Sequence, residues 1–224
     1  KVIDALRGMR KNSTNRAALE RDRANLVQMM QSREYNPSNL NDPMHARSKI
    51  MNFIREETTS LQFSLGALRE ITTMLSGLEG KRAILYISNG LPMVPGLDLF
   101  YSYASAYKDD AVLAEAITYD QSRAFEAMVA AANAQDVTFY TIEAGGLRAA
   151  GVATAEYTDS EDMRAASIGR QNYLDSLRFM ADGTGGIAII DTNDVRTRID
   201  RVEQDLYTYY SIGYPLQASG RDKV

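Results

Sequence analysis

Cysteine and tryptophan are absent from this 224-residue sequence, and histidine occurs once, as His45. Disulfide scaffolds, thiolate metal sites and cysteine nucleophiles are therefore excluded, as are multi-histidine metal centres. No apolar run reaches the roughly 18 to 20 residues that span a bilayer. Neither sign of charge is in large excess, because 25 basic residues face 29 acidic ones and the net charge is −4. Nucleic acid is therefore not expected as a partner, and no membrane span is expected.

The residues that are present suit one folded domain, since 45% of them are hydrophobic and 24% are charged. Residues 1–80 are rich in helix formers, with a break predicted at Asn12–Asn15 and a loop at Tyr35–Pro43. One helix is predicted from Thr14 or Asn15 through Met30. A second is predicted from Asp42-Pro43, with a bend, to Leu78.

After residue 80, short apolar runs alternate with amphipathic segments, which predicts a right-handed βαβ arrangement and an α/β fold. The central runs are predicted to be buried on both faces, as in a parallel sheet. The predicted strands are Arg82–Ser88, Val137–Ile142, Ile187–Ile190 and, at the sheet edge, Thr208–Tyr214. The predicted helices are Asp120–Ala134, Tyr173–Ala181 and Asp194–Tyr207, and Ala149–Gly169 is predicted to be a loop.

Four segments occur in an order that points to a known family. Leu75–Pro92 reads LSGLEGKRAILYISNGLP, Ala130–Ile142 reads AAANAQDVTFYTI, Leu177–Gly186 reads LRFMADGTGG, and Asp205–Tyr214 reads DLYTYYSIGY. Together they resemble the fourth strand, the following helix and strand, the glycine turn and the terminal strand of von Willebrand factor A (VWA) domains. The form is closest to the VWFA-related Acidobacterium-type subfamily.

This resemblance implies a Rossmann-like, doubly wound and mostly parallel sheet with flanking helices, forming a single domain over residues 1–224. Within it we expect a helical segment at 1–80, a βαβ core at 81–214 and a truncated tail at 215–224. The resemblance also implies an exported protein, periplasmic or extracellular. The family's opening strand is not found in this chain, so we expect the domain to be incomplete at its N-terminus.

The metal site of VWA domains provides a second expectation. Its opening strand ends in D-x-S-x-S, which binds a divalent cation, and this chain lacks that pattern. The resemblance places the remaining ligands at Ser88 and Asn89, at the tip of a strand, and at Thr58 or its neighbour Thr59. Asn89 stands where the family has an acidic residue, so it adds no charge for a hard cation. No cofactor is therefore expected, except Mg²⁺ or Ca²⁺ if the D-x-S-x-S strand precedes Lys1.

The number of strands is also informative. Central parallel strands need partners on both sides, and the chain offers three or four convincing strands. Three explanations stay open: Val2–Leu6 pairs with the sheet, strands are missing from the sequence, or another chain completes it.

The connection after Arg82–Ser88 is the predicted partner-binding surface. It leaves the carboxyl end of a parallel strand, where open α/β sheets place their ligand crevice, and the same connection commonly binds partners in VWA-like folds. The predicted contact residues are Leu91, Pro92, Leu97, Phe100, Tyr101 and Tyr103.

Three functions follow from these observations. The first is a non-catalytic VWA-like module for protein binding or adhesion, and the second is a structural subunit that another chain completes. The third is a Rossmann-like nucleotide-binding enzyme, which would need a glycine-rich loop after its first strand or a nucleophile with a base. The turn at Asp182–Gly186 precedes a strand and has no lysine, so it does not provide a phosphate loop.

Overall fold

The computed structural model describes residues 2–31, 42–145 and 160–207, with side chains described in 17–31, 42–145 and 163–207. The strand predicted at Thr208–Tyr214 and the tail at 215–224 lie outside the described residues. The same holds for most of the predicted loops at Tyr35–Pro43 and Ala149–Gly169.

Seven α-helices, one 3₁₀ turn and three strands make up the described chain. In order they are α1 (Val2–Gln31), α2 (Pro43–Leu75), β1 (Arg82–Ser88), α3 (Leu97–Tyr107), α4 (Ala111–Ala116), the 3₁₀ turn (Ile117–Tyr119), α5 (Ser122–Asn133), β2 (Val137–Glu143), α6 (Ser160–Gly183), β3 (Ala188–Ile189) and α7 (Val195–Tyr207).

Helix α2 begins where its capping residues predict. Asp42 is extended, its carboxylate accepts a hydrogen bond from Met44 N at 3.4 Å, and Pro43 occupies the first turn. An apolar stripe then runs along the helix and is buried against the core. The helix ends at Leu75, three residues before the predicted end at Leu78.

Helix α1 is longer than the sequence indicated. The break predicted at Asn12–Asn15 is wrong, because α1 continues through it to Gln31. Asn12–Asn15 contains no glycine or proline. The modest helix propensities of these four residues are outweighed by those of the other residues in the 30-residue helix. The suggestion that Val2–Leu6 pairs with the sheet is also wrong, since these residues are helical.

The three strands form an open parallel sheet in the order β1-β2-β3, which confirms the α/β class. β1 and β2 pair in register from Arg82 opposite Val137 to Ser88 opposite Glu143. Helices α2, α5 and α6 cover one face, where they pack on residues such as Phe139. α7 packs on the other face, against Tyr140 and its neighbours. α1, α3 and α4 form a second apolar cluster with α2.

Strand β1 departs from the prediction that it is buried on both faces. Leu85 is 53% exposed and Ile87 is 61% exposed. They share a sheet face with Ala83, which alone among the β1 residues packs in the cluster beneath α7. Among the described residues β1 pairs only with β2, so a short apolar run correctly predicted a strand but not its neighbours.

Three helices and one strand also differ from the predictions. α6 begins at Ser160, inside the segment predicted to be a loop. α3 and α4 occupy the connection after β1, for which no helix was predicted. Strand β3 is shorter than Ile187–Ile190. Within the described ranges, no helix has the length and apolar character needed to cross a membrane.

Candidate functional site

The predicted partner-binding residues divide into two groups. Phe100 is fully buried, and Tyr103 is buried with its hydroxyl donating to Pro43 O at 3.3 Å. Both pack in the cluster formed by α1 to α4. Leu91 and Pro92 are buried as well, so all four of these side chains serve packing in the described structure. Leu97 and Tyr101, also on α3, are only half-buried, and Leu97 packs against the edge of the same cluster.

Leu97 and Tyr101 meet in a small apolar cup of about 290 Å³. Three walls form it, namely the loop after β1, α3, and α4 with the 3₁₀ turn. Ile117, at its rim, is 73% exposed, which is unusual for a large aliphatic side chain. The lining residues are Val94, Leu97, Tyr101, Leu113, Ala114, Ala116 and Ile117.

One of the three walls comes from a segment for which the sequence predicts no element. Residues 111–117 read AVLAEAI, and this short apolar pattern was assigned to no element. It forms α4 and the first residue of the 3₁₀ turn, which place Leu113 and Ile117 in the cup with the side chains of α3. The pattern was the available signal, but six helical residues give too little periodicity for a prediction.

The loop that forms one wall of the cup is fastened to α6. The Asn172 side chain accepts from Val94 N and donates to Val94 O, both at 2.8 Å. Leu91 N donates to Ser176 Oγ at 2.9 Å, and Gln121 N donates to Met93 O at 2.9 Å. These bonds hold the cup in one shape, and preformed surfaces lose less entropy on binding.

A buried carboxylate, Glu57 on α2, lies behind the same loop. Its Oε2 accepts from Gly96 N at 2.7 Å and its Oε1 accepts from the Tyr173 hydroxyl. Burial raises the pKa of Glu57 to about 7, although these two hydrogen bonds favour the charged form. Asp98, which pairs with Arg23 at 2.6 Å, also raises the pKa of Glu57. Glu57 therefore links α2, α3 and α6 behind the cup.

The sequence analysis did not predict a role for Glu57, although its position in α2 indicated one. It falls in the apolar stripe of α2, between Ile54 and Leu61. An acidic residue on a buried helix face requires hydrogen-bond partners, and this one finds them in the loop and in α6.

The predicted metal ligands do not form a charged oxygen site. Ser88 Oγ accepts a hydrogen bond from Gly90 N at 3.2 Å, and the Asn89 side chain is exposed. Thr58 lies on α2, and its Oγ1 is buried without a hydrogen-bond partner. In the described part of the chain, no three histidine, cysteine or acidic residues cluster so as to hold a metal. Ser88, Asn89 and Thr58 therefore do not fit Mg²⁺ or Ca²⁺ by themselves.

The acidic groups near the carboxyl end of the sheet are already paired with arginine. Glu143, at the end of β2, accepts from Arg170 at 2.8 Å and from Asp191 N at 3.0 Å. Asp191 in turn pairs with Arg170 at 2.7 Å and with Arg178 at 3.3 Å. This network ties α6 to the ends of β2 and β3 and leaves little uncompensated negative charge for a cation.

A larger groove, of about 450 Å³, runs between α1 and α2. Its polar side chains, among them Asp22, Lys49 and Glu56, are exposed, and only Leu26 and Phe53 of its lining are buried. It is therefore a wide furrow in a helix pair rather than an enclosed site.

Comparison with protein-family models, with curated proteins and with solved structures finds no match to this chain. The class of protein that the described residues define is a mainly helical α/β domain with a small parallel sheet. Any finer assignment depends on the geometry above.

Proposed function

We propose that this chain is a non-catalytic, VWA-like protein-binding module, acting in adhesion or a similar recognition role in the periplasm or outside the cell. The observation that carries the binding role is the apolar cup next to the loop that leaves β1. The parallel order β1-β2-β3 and the four resembling segments support the VWA-like assignment.

The size and lining of the cup favour a protein partner over a small-molecule cofactor. Its volume of about 290 Å³ is at the lower limit of small-molecule sites, which usually hold convergent polar groups as well. All seven lining side chains are apolar or aromatic. An apolar side chain anchored in a pocket is the usual centre of a protein interface.

The experiment is selection of a displayed random peptide library on the folded chain, followed by measurement of each recovered peptide by fluorescence anisotropy. Ala114→Trp fills the cup, and we expect it to weaken binding by about tenfold or more. Ala130→Trp, an equally large change at an exposed position of α5, is the matched control and should leave the affinity unchanged. Recovery of no peptide that Ala114→Trp weakens would contradict the proposal.

A second candidate function is that of a structural subunit that another chain completes. The exposure of Leu85 and Ile87 on β1 favours it, because parallel sheets normally bury both faces. In this case the partner would cover β1, on the sheet face beneath α7, rather than the cup.

A further inference from the structure

Negative charge is concentrated in the stretch of sequence that supplies the lining of the cup. Residues 83–122 contain five acidic residues and one basic residue, Lys108, so this stretch has a net charge of −4. The net charge of the entire chain is also −4, and the rest of the sequence is therefore balanced. The acidic residues are Asp98, Asp109, Asp110, Glu115 and Asp120.

Two of these carboxylates have cationic partners within the protein. Asp98 pairs with Arg23 at 2.6 Å, and Glu115 pairs with Arg47 at 2.5 Å. Because their charges are already paired, neither carboxylate should attract an approaching cation strongly.

The other three carboxylates have no cationic partner among the described side chains. Asp109 Oδ1 accepts from Ala111 N at 3.1 Å, and Asp120 Oδ1 accepts from Ser122 N at 2.6 Å. Asp110 makes no capping hydrogen bond, and it is exposed, as is Asp120. None of the three is therefore neutralised by an ion pair within the described part of the chain.

The position of these three residues relates them to the cup. Asp109 and Asp110 directly precede α4, and Asp120 directly follows the 3₁₀ turn. The helix and turn between them supply four of the seven lining residues. Negative charge therefore stands at both ends of one apolar wall.

We infer that the cup binds a cationic segment of a protein partner, in which one large apolar side chain enters the cup and flanking lysine or arginine side chains face Asp109, Asp110 and Asp120. This inference rests on the proposed binding function. Complementary charge increases the rate of encounter and disfavours partners of the wrong sign. An acidic segment would meet like charge at both ends of the wall.

The test uses the peptides recovered from the random library and sorts those that Ala114→Trp weakens by their net charge. We expect these cup-dependent peptides to be enriched in lysine and arginine beside a large apolar residue. Their affinity should fall as NaCl is raised from about 0.05 to 0.5 M, since salt screens exposed charge pairs.

A triple variant tests the three carboxylates directly. Asp109→Asn, Asp110→Asn and Asp120→Asn together remove three charges, while the asparagine oxygens can still accept the bonds from Ala111 N and Ser122 N. We expect binding of the cup-dependent peptides to weaken by about tenfold.

The matched control neutralises three exposed acidic residues at the opposite edge of the sheet, namely Glu79→Gln, Asp136→Asn and Asp182→Asn. It should leave the affinity within about twofold of the wild type, since it acts only through distant, screened charge. Cup-dependent peptides that are neutral or acidic, or equal losses in both triple variants, would overturn the inference and leave the binding function standing. An absence of cup-dependent peptides would overturn both.

Discussion

At the scale of single residues, Glu57 combines deep burial with two hydrogen bonds. It is 6% exposed, and burial raises its pKa to about 7, compared with an ordinary value of 4.5. Because the folded protein holds the proton more tightly than the unfolded chain, Glu57 contributes stability at pH values below about 4.5. This contribution declines as the pH rises and is lost above about 7.

The Glu57→Gln variant removes this titration while keeping the shape of the side chain. We expect the free energy of unfolding of the variant, relative to the wild type, to increase by about 3 kcal/mol between pH 4.5 and pH 8. Urea unfolding at a series of pH values measures this difference. Glu56→Gln, at the exposed neighbouring position, is the control and should show no such trend. A difference between Glu57→Gln and wild type that does not vary with pH would show that Glu57 does not titrate in this range.

At the scale of elements, the turn after β1 depends on a close approach to α6. Gly90 has a φ of +91°, and a Cβ atom there would lie 2.1 Å from Tyr173 O. Gly80, before β1, has a similar φ of +88°, but a Cβ atom there would meet nothing within 4 Å. The two glycines thus differ in crowding, although both need a positive φ.

Replacing each glycine with alanine separates these effects. Gly80→Ala should cost about 1 kcal/mol of unfolding free energy, from backbone strain alone. Gly90→Ala should cost at least about 2 kcal/mol more, because the loop or α6 must also move. Chemical denaturation of both variants provides the comparison. Equal losses would mean that the loop moves away from α6 at little cost.

At the scale of the whole molecule, the sequence predicted elements better than it predicted their neighbours. Asp42-Pro43 marked the start of α2, and glycine-bounded apolar runs marked β1 and β2. Such signals are local to the chain. The exposure of Leu85 and Ile87 depends on which elements lie beside β1, which no local pattern encodes.

The residues of the cup show the same difference between what local sequence predicts and what depends on the fold. Leu97 and Tyr101 could be predicted because they follow a parallel strand, where ligands commonly bind. Phe100 lies on the same helix but faces the core, and only its packing with the other helices shows this. Ile117 completes the cup from the 3₁₀ turn that follows α4, so its contribution required the folded arrangement.

The exposed face of β1 leads to a prediction about assembly. If another copy or chain covers Leu85 and Ile87, the isolated chain should associate as its concentration rises, because this apolar surface is removed from water. Sedimentation velocity measures this association. Leu85→Thr with Ile87→Thr keeps residues that favour strands and should give a monomer at every concentration.

Leu78→Thr is the matched control, since Leu78 is 57% exposed but lies outside the sheet. It should associate like the wild type. A wild-type chain that stays folded and monomeric up to high concentration would contradict the subunit role and leave the cup as the binding surface.

The central position of β2 determines how rarely its backbone amides are exposed to solvent. β2 has a neighbouring strand on each side, and its Phe139 and Thr141 amides donate to Thr184 Oγ1 at 2.8 Å and to Ile187 O at 3.1 Å. Exposing these amides to deuterium requires the separation of β3 and the end of α6 from the core, which is a nearly global event. The outer strands can open by smaller fluctuations. In a hydrogen-exchange experiment the amides of the outer strands should therefore exchange first, and those of β2 should exchange most slowly.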